Sequence, residues 1–403
     1  MRPTFEVADV FHRHGEAYIR ARGGKIGRVE RRVMSAIQLC RTAALGGHFE
    51  TCEACGFARP AYNSCRNRHC TKCQGAAQIQ WIERRQSDLL PVPYFHVVFT
   101  LPAPIADVAF HNKAVIYAIL LKTAAATLQV IAADPKHLGA EIGLVAVLHT
   151  WGQNLHHHPH AHCVVPGGGL SLDGQRWVRC RRTFFLPVKV LARLYRRLFL
   201  KQLAAAFAAG QITLTGELAS LGADGAFVAA LAAWRRIDWV VYAKPPFGGP
   251  KQVLNYLGRY THRVAIANSR IVALDDDTVS FRWRDYRAQG QTKIMRVTAI
   301  DFIRRFLQHT LPDGFQRIRH YGLLANARRV EKLALCRRLL AACTPEPATP
   351  TDPAPVDTES RRLKDAPTSS VPHLCPCCGG RLAISSASPT YTCTPLRRAW
   401  DTS

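Results

Sequence analysis

Residues 156–165 read His-His-His-Pro-His-Ala-His-Cys-Val-Val, and no other stretch limits the fold as strongly. A strand sends alternate side chains to one face, so His156, His158, His160 and His162 point the same way. The apolar run after them requires burial. The segment therefore reads as an extended strand of a sheet, with a polar site on one face. His160 and His162, separated only by Ala161, form a two-imidazole clamp, and neutral imidazole binds transition metals well. A pH-sensitive or merely polar edge strand is the plainer alternative, but it gives four in-phase histidines no joint purpose.

The flanking pattern supplies the rest of a sheet. Glu141–His149 reads as a second strand, joined to the histidine strand by a turn at Gly152 in an antiparallel hairpin. His149 would then lie near the metal site or cap the strand end. Tyr94–Leu101 is rich in β-formers and reads as a buried strand. The segment from Ile105 to Ala133 is mainly helical. Lys122 and Gln129 make its apolar part a better buried helix than a membrane span. Gly167-Gly168-Gly169 reads as a turn. Helices are expected over Val188–Gly210 and Ala226–Arg236, and a strand over Asp238–Ala243. Strands mixed with helices in this order make the chain α+β, and 403 residues are enough for two or three domains.

Charge points to the partner. The net charge is +26, which suits a polyanion, and nucleic acid is the first candidate. No long basic amphipathic helix favours a membrane surface. Residues Met1–Glu6 lead into no apolar h-region, so the 14 cysteines are expected in a reducing, cytoplasmic setting. There, CxxC spacing argues for metal. Cys52 and Cys55, with Cys70 and Cys73, form two knuckles that suit one tetrahedral Zn²⁺. Cys65 and His69 lie between them as substitute or supporting ligands. Arg66, Arg68 and Lys72 surround the second knuckle and suit contacts to DNA. The basic helical residues from 1 to about 50 suit phosphate contacts as well. Near the other end, Cys375-Pro376-Cys377-Cys378 gives half a knuckle, with only Cys393 beyond it.

Pro250 is well placed to open a helix over Lys251–Arg263. Gln252, Tyr256 and Tyr260 are each four apart and share a face. Asn255, Arg259 and Arg263 flank the tyrosines, while Val253, Leu254 and Leu257 supply a core face. An aromatic stripe packed on the core is the plainer reading, but the polar surround favours phosphate chemistry. Arg270–Leu274 and Thr278–Arg284 make a hairpin around Asp275–Asp277, with Arg282, Trp283 and Arg284 alternating charge and ring. A further helix is expected from about Ala299 to Leu311. Residues 344–372 read as a disordered linker.

A divalent ion, Mg²⁺ or Mn²⁺, at His160 and His162, with His158 or Gln252 as third ligand, would polarise a phosphodiester for attack by a tyrosine. The products would be a 5′-phosphotyrosine and a free 3′-OH. The segments at residues 63–74 (NSCRNRHCTKCQ), 157–168 (HHPHAHCVVPGG), 256–268 (YLGRYTHRVAIAN) and 315–325 (FQRIRHYGLLA) resemble the two-tyrosine rolling-circle transposases of the insertion sequence 91 family, within the HUH endonuclease superfamily. Ala161 stands where that family usually carries a larger apolar residue. The resemblance implies an HUH-type antiparallel sheet flanked by helices and preceded by a small zinc-binding domain. It implies nucleophiles at Tyr256 and Tyr260, a metal pair at His160 and His162, and movement of a DNA element through single strands inside a bacterial cell. The domains expected are 1–92 (zinc and DNA binding), 93–340 (catalytic) and 341–403 (linker and Cys-containing tail). A plasmid rolling-circle replication initiator or a relaxase would use the same chemistry. A non-catalytic zinc-dependent DNA-binding regulator would explain the charge and cysteines but not the histidines and tyrosines.

Overall fold

The computed structural model describes residues 3–181, 185–244, 252, 253, 258, 261, 262, 264–286, 288–342 and 374–384. Tyr256, Tyr260, Arg259, Arg263, Cys393 and the expected linker lie outside the described residues. In chain order the strands are β1 (Gly47–Cys52), β2 (Ala58–Tyr62), β3 (Tyr94–Thr100), β4 (Ala140–Glu141), β5 (Gly143–Trp151), β6 (His157–Pro166), β7 (Gly168–Ser171), β8 (Trp177–Arg179), β9 (Val241–Lys244), β10 (Ile271–Leu274), β11 (Thr278–Asp285), β12 (Gln291–Thr298), β13 (Ile318–Gly322) and β14 (Leu382–Ile384). By contacts the chain forms two units. The larger takes in Met1–Gln38 and Asn67–Cys343, the smaller Leu39–Arg66 and Thr344–Ser403. Within the larger unit the first helix, Val7–Ala21, packs on the helix Ala299–Leu307 through an edge-on contact of Phe11 and Phe306.

The larger unit is built on a five-stranded antiparallel sheet in the order β13-β5-β6-β3-β9, with the histidine strand at its centre. Strand alternation divides its side chains cleanly. Ala161, Cys163 and Val165 of β6, with Ala146 and Leu148 of β5 and Phe95, Val97 and Phe99 of β3, enter the main core. Val164, Val145, Val147 and Tyr94, one residue out of phase, line a second apolar layer on the other face. His160 and His162 have the same parity as Val164, so the imidazoles open onto that second face.

The main core is closed by the helices Lys113–Ala133 and Val188–Ala208. The first is long and apolar enough to cross a membrane, yet it lies largely buried against the sheet. Lys122 points outward, as its charge requires. Thr123 and Thr127 are fully buried and satisfy their hydroxyls by donating to the carbonyls of Ile119 and Thr123, one turn back. Leu120, Leu121 and Leu128 are each buried there, a contribution of about 1.5–3 kcal/mol apiece.

Two expectations are modified. The glycines after β6 do not merely turn: Gly168 and Gly169 enter β7, which pairs with β4 and β8. Gly169 lies so close to β4 that an added Cβ would stand 2.3 Å from the Glu141 carbonyl oxygen. The helix from Ala299, capped by the Thr298 hydroxyl accepting from the Asp301 N–H, stops at Leu307 and not Leu311. The Thr310 hydroxyl donates to the Leu307 carbonyl, and the Leu311 N–H is taken by His69 Nε2.

Gly322 closes β13 with φ of +59°, and a Cβ there would stand 1.9 Å from the Ile142 carbonyl oxygen. Left-handed backbone costs a non-glycine residue about 1–3 kcal/mol before any clash. Gly322→Ala is therefore expected to destabilise the protein by more than that range, read as a lowered midpoint of denaturant unfolding; an unchanged midpoint would contradict this packing.

In the smaller unit β1 lies between β2 and β14, antiparallel to both. Glu50 and Arg59, directly opposite on β1 and β2, form a two-pronged ion pair at 2.9 and 2.8 Å.

Candidate metal centre

Because β5 and β6 are antiparallel neighbours in fixed register, His149 sits directly across from His160. The hairpin turn that sets this register is closed by hydrogen bonds from the Gly152 N–H to the His156 carbonyl and from the Leu155 N–H to the Gly152 carbonyl. His149, His160 and His162 each bring one ring nitrogen into a group whose members lie within 4.8 Å of one another. Their ring centroids are 4.4 to 5.6 Å apart. Among the described residues no carboxylate joins them.

Hydrogen bonding fixes which nitrogens are available. A carbonyl oxygen can only accept, so the 2.7 Å contact of His160 Nδ1 with the His158 carbonyl means that Nδ1 carries the proton. Nε2 of His160 then holds a lone pair. Burial pushes the His160 imidazole down to about 4, so it is neutral at physiological pH. His162 Nδ1 lies 2.7 Å from His96 Nε2, with the two rings stacked 5.0 Å apart. Burial, and then the charge of Lys244, push His96 down to about 3, so it too is neutral and able to accept from His162 Nδ1–H. In the tautomer in which His162 Nδ1–H donates to His96, the lone pair of His162 is on Nε2. His149 is held flat against Trp151, ring centroids 4.7 Å apart.

Three imidazoles converging without a carboxylate among the described residues fit a borderline transition ion better than a hard one. The site therefore suits a divalent metal, and this donor set is poorer for Mg²⁺ than for Mn²⁺ or later ions.

The candidate residues fare differently. His160 and His162 lie together in the three-histidine group. His158 is exposed and outside the three-histidine group; its contribution is the carbonyl that orients His160. His149 and not His158 completes the three-histidine group, its ring 4.4 Å from that of His162. The sequence does not single out His96; its one signal is its phase with Tyr94 in β3. His157, of opposite parity, faces the main core and hydrogen-bonds the Tyr117 hydroxyl at 2.7 Å.

Gln252 is exposed, and Val253 beside it is fully buried in the second apolar layer with Val145 and Val164. Gly258, further along the same segment, sits so close to the helix Gln74–Arg85 that a Cβ would stand 2.4 Å from Ile82 Cδ1. His262 lies against Trp81, centroids 6.0 Å apart. Of these, Val253 lies on the same side of the sheet as the histidines.

Arg66 is exposed. Arg68 is not available for DNA: its guanidinium donates to the backbone carbonyls of Phe315 and, at 2.6 Å, of Pro312. His69 is pushed down to about 3 by burial and accepts from Leu311, so it is no ligand through Nε2.

The single four-cysteine site is corrected. Cys52 and Cys55 lie in the smaller unit and converge with Cys375 and Cys378; Cys70 and Cys73 belong to the larger unit. The knuckles differ in the residue after the second cysteine. After Cys55 comes Gly56 at φ +71°, which turns the chain, whereas after Cys73 comes Gln74, which starts a helix.

A family model described as "Putative transposase" matches residues 143–332, spanning all three histidines. Another, described as "Transposase zinc-binding domain", matches residues 10–101 and supports Zn²⁺ as a cofactor. The chain is 54% identical over 399 residues to "Putative transposase y4qJ" of Sinorhizobium fredii, covering 99% of this chain and 98% of that protein. It is 28% identical over 380 residues to "Transposase for insertion sequence element IS801" of Pseudomonas savastanoi pv. phaseolicola, covering 90% of this chain and 85% of that protein. No solved structure matches. With near-complete alignment to these relatives and both domain models in place, the chain belongs to the insertion sequence 91 family of transposases with an N-terminal zinc-binding domain.

Proposed function

We propose that this transposase nicks single-stranded DNA at a metal-held phosphate, carries the 5′ end on tyrosine, and so moves its element by a rolling-circle route. One observation carries the reading: three imidazoles share a sheet face with the buried Val253, and Tyr256 and Tyr260 come three and seven residues later. The phenol oxygen of one tyrosine attacks phosphorus. The bond to the 3′ oxygen breaks, that oxygen leaves with the electron pair, and a proton from solvent makes it a 3′-OH. The phosphotyrosine conserves the bond energy, so rejoining needs no ATP. A phenol is normally protonated at neutral pH, and the charges of Arg259 and Arg263 favour its ionised form. A divalent ion held by His149, His160 and His162, Mn²⁺ ahead of Mg²⁺, supplies Lewis-acid polarisation of the phosphate. Gln252 is a further oxygen donor to that ion. Arg66, and Arg282 and Arg284 on the exposed face of β11, hold backbone phosphates.

The test is a denaturing gel of purified protein with labelled single-stranded DNA from an element end. A metal-dependent covalent band is expected, lost on chelation; wild-type protein that gives no band with any divalent ion would overturn the reading. An initiator or relaxase uses the same chemistry, and the named relatives favour transposition. A non-catalytic regulator leaves the three-histidine group without a role.

His96 is a positioning residue on this reading. His96→Ala removes the acceptor that holds the His162 tautomer, and is expected to weaken Mn²⁺ dependence by about 10–100-fold. Adduct formation at saturating Mn²⁺ should recover most of the wild-type rate. An unchanged Mn²⁺ midpoint would exclude the role.

A further inference from the structure

The smaller unit holds two knuckles with the same backbone. In the first, the Gly56 N–H donates to the Cys52 carbonyl at 3.0 Å and the Cys52 N–H to the Phe57 carbonyl at 2.8 Å. In the second, the Gly379 N–H donates to the Cys375 carbonyl at 2.9 Å and the Cys375 N–H to the Gly380 carbonyl at 2.8 Å. The offsets from the first cysteine are identical, and the glycines take matching φ of +71° and +72°. Each knuckle is a Cys-x-x-Cys-Gly turn. In the second, the N–H groups of Cys377 and Gly380 also point at the sulfurs of Cys375 and Cys378, both at 3.4 Å.

The knuckles face each other. Cys52 Sγ lies 3.5 Å from Cys378 Sγ, and Cys55 Sγ lies 3.6 Å from Cys375 Sγ. All four sulfurs lie within 4.8 Å of one another. A disulfide needs about 2.05 Å, far less than either contact. Two thiolates on one Zn²⁺ at about 2.3 Å in a tetrahedron stand roughly 3.8 Å apart, close to the spacing seen. Pairing of β1 with β14, which sets Cys52 opposite Leu382, holds the two halves in register.

The core beneath is very small. Among the described residues, Cys52, Cys375 and Leu382 are its buried side chains, with Phe57 packed against them. So few apolar groups do not offset the entropy of ordering the unit, whereas a structural metal does. We propose that Cys52, Cys55, Cys375 and Cys378 bind one Zn²⁺ as a ribbon assembled from segments that flank the catalytic unit in sequence. Neither matched family segment reaches residues 374–384. The site gives the C-terminal cysteines a role independent of the histidine centre.

Cys377 is the internal control, because it lies in the same knuckle but outside the four-sulfur group. Zinc in the full-length protein is measured after exhaustive dialysis. Cys375→Ser with Cys378→Ser is expected to hold one equivalent less than wild type, and Cys377→Ser the same as wild type. In the wild-type zinc form, alkylation and then mass spectrometry should show Cys377 modified quickly. Cys52, Cys55, Cys375 and Cys378 should be spared until a chelator releases all four together. Unchanged zinc in the double variant overturns the proposal. So does labelling of Cys375 and Cys378 as fast as Cys377 in the untreated protein, a result that stands even where the variant folds poorly.

Discussion

Tyr256→Phe combined with Tyr260→Phe is expected to form no covalent adduct with single-stranded DNA while still binding it. Removal of a nucleophile costs on the order of 10⁶ in rate. Binding rests on many basic side chains and is spread over a protein of net charge +26, so two lost hydroxyls leave it nearly intact. The single variants carry more information. In the helix expected from the sequence, four residues advance about 6 Å, which would set the two phenols one turn apart and let a single metal site serve either in turn. Each single variant should keep part of the first cleavage but fail in complete strand transfer, because one phenol must hold the first 5′ end while the other attacks a second junction. Adduct and transfer product should be scored separately on the same substrate. One variant inactive in cleavage and the other normal in both assays would reduce the pair to one nucleophile and one structural tyrosine. An adduct surviving in the double variant would move the nucleophile elsewhere.

His149→Ala, His160→Ala and His162→Ala are each expected to lower cleavage by about 10²–10⁴-fold, the several kcal/mol that a metal contributes to a developing phosphoryl charge. DNA binding should persist in all three. His158→Ala is the informative contrast. His158 acts on His160 through its backbone carbonyl, which alanine retains, so cleavage should stay within about threefold of wild type. The opposite pattern, with His158→Ala inactive and His149→Ala normal, would return the third ligand to the histidine strand. Raising Mn²⁺ should rescue none of the ligand variants fully, whereas it should rescue His96→Ala. That difference separates ligands from the residue that orients them.

The sheet is legible in the sequence where pattern and period agree. Alternation in 156–165 marks both the strand and its polar face, and the apolar strand ending at His149 pairs with it as expected. Register is hidden. Whether His149 faces His160 or misses it depends on how the hairpin turn around Gly152–His156 closes, and a one-residue slip would reverse its face. His96 is hidden for a similar reason: its partner is 66 residues away, on a neighbouring strand. The cysteines mislead because nearness in sequence is not nearness in space. Cys52 and Cys55 find their partners more than 300 residues on, and only the shared Cys-x-x-Cys-Gly spelling of the two knuckles records it. Arg68 misleads because its charge suggests phosphate, while the carbonyls of Pro312 and Phe315 claim its donors.

The pairing of β1 with β14 also imposes an order in time. Cys55 and Cys375 are 320 residues apart, so at ~5–20 residues per second the ribosome delivers the second knuckle roughly 15–60 s after the first. Throughout that interval β1 has β2 on one side and an open edge on the other. The five-stranded sheet, complete at β13, can fold before the strand that covers this edge exists. A message cut short between β13 and β14 would yield a finished histidine face on a chain whose first knuckle never closes. Such a product would expose β1 and two thiols to chaperones and proteases. Pairing of β14 thereby registers, at a strand made early, that translation has passed residue 384.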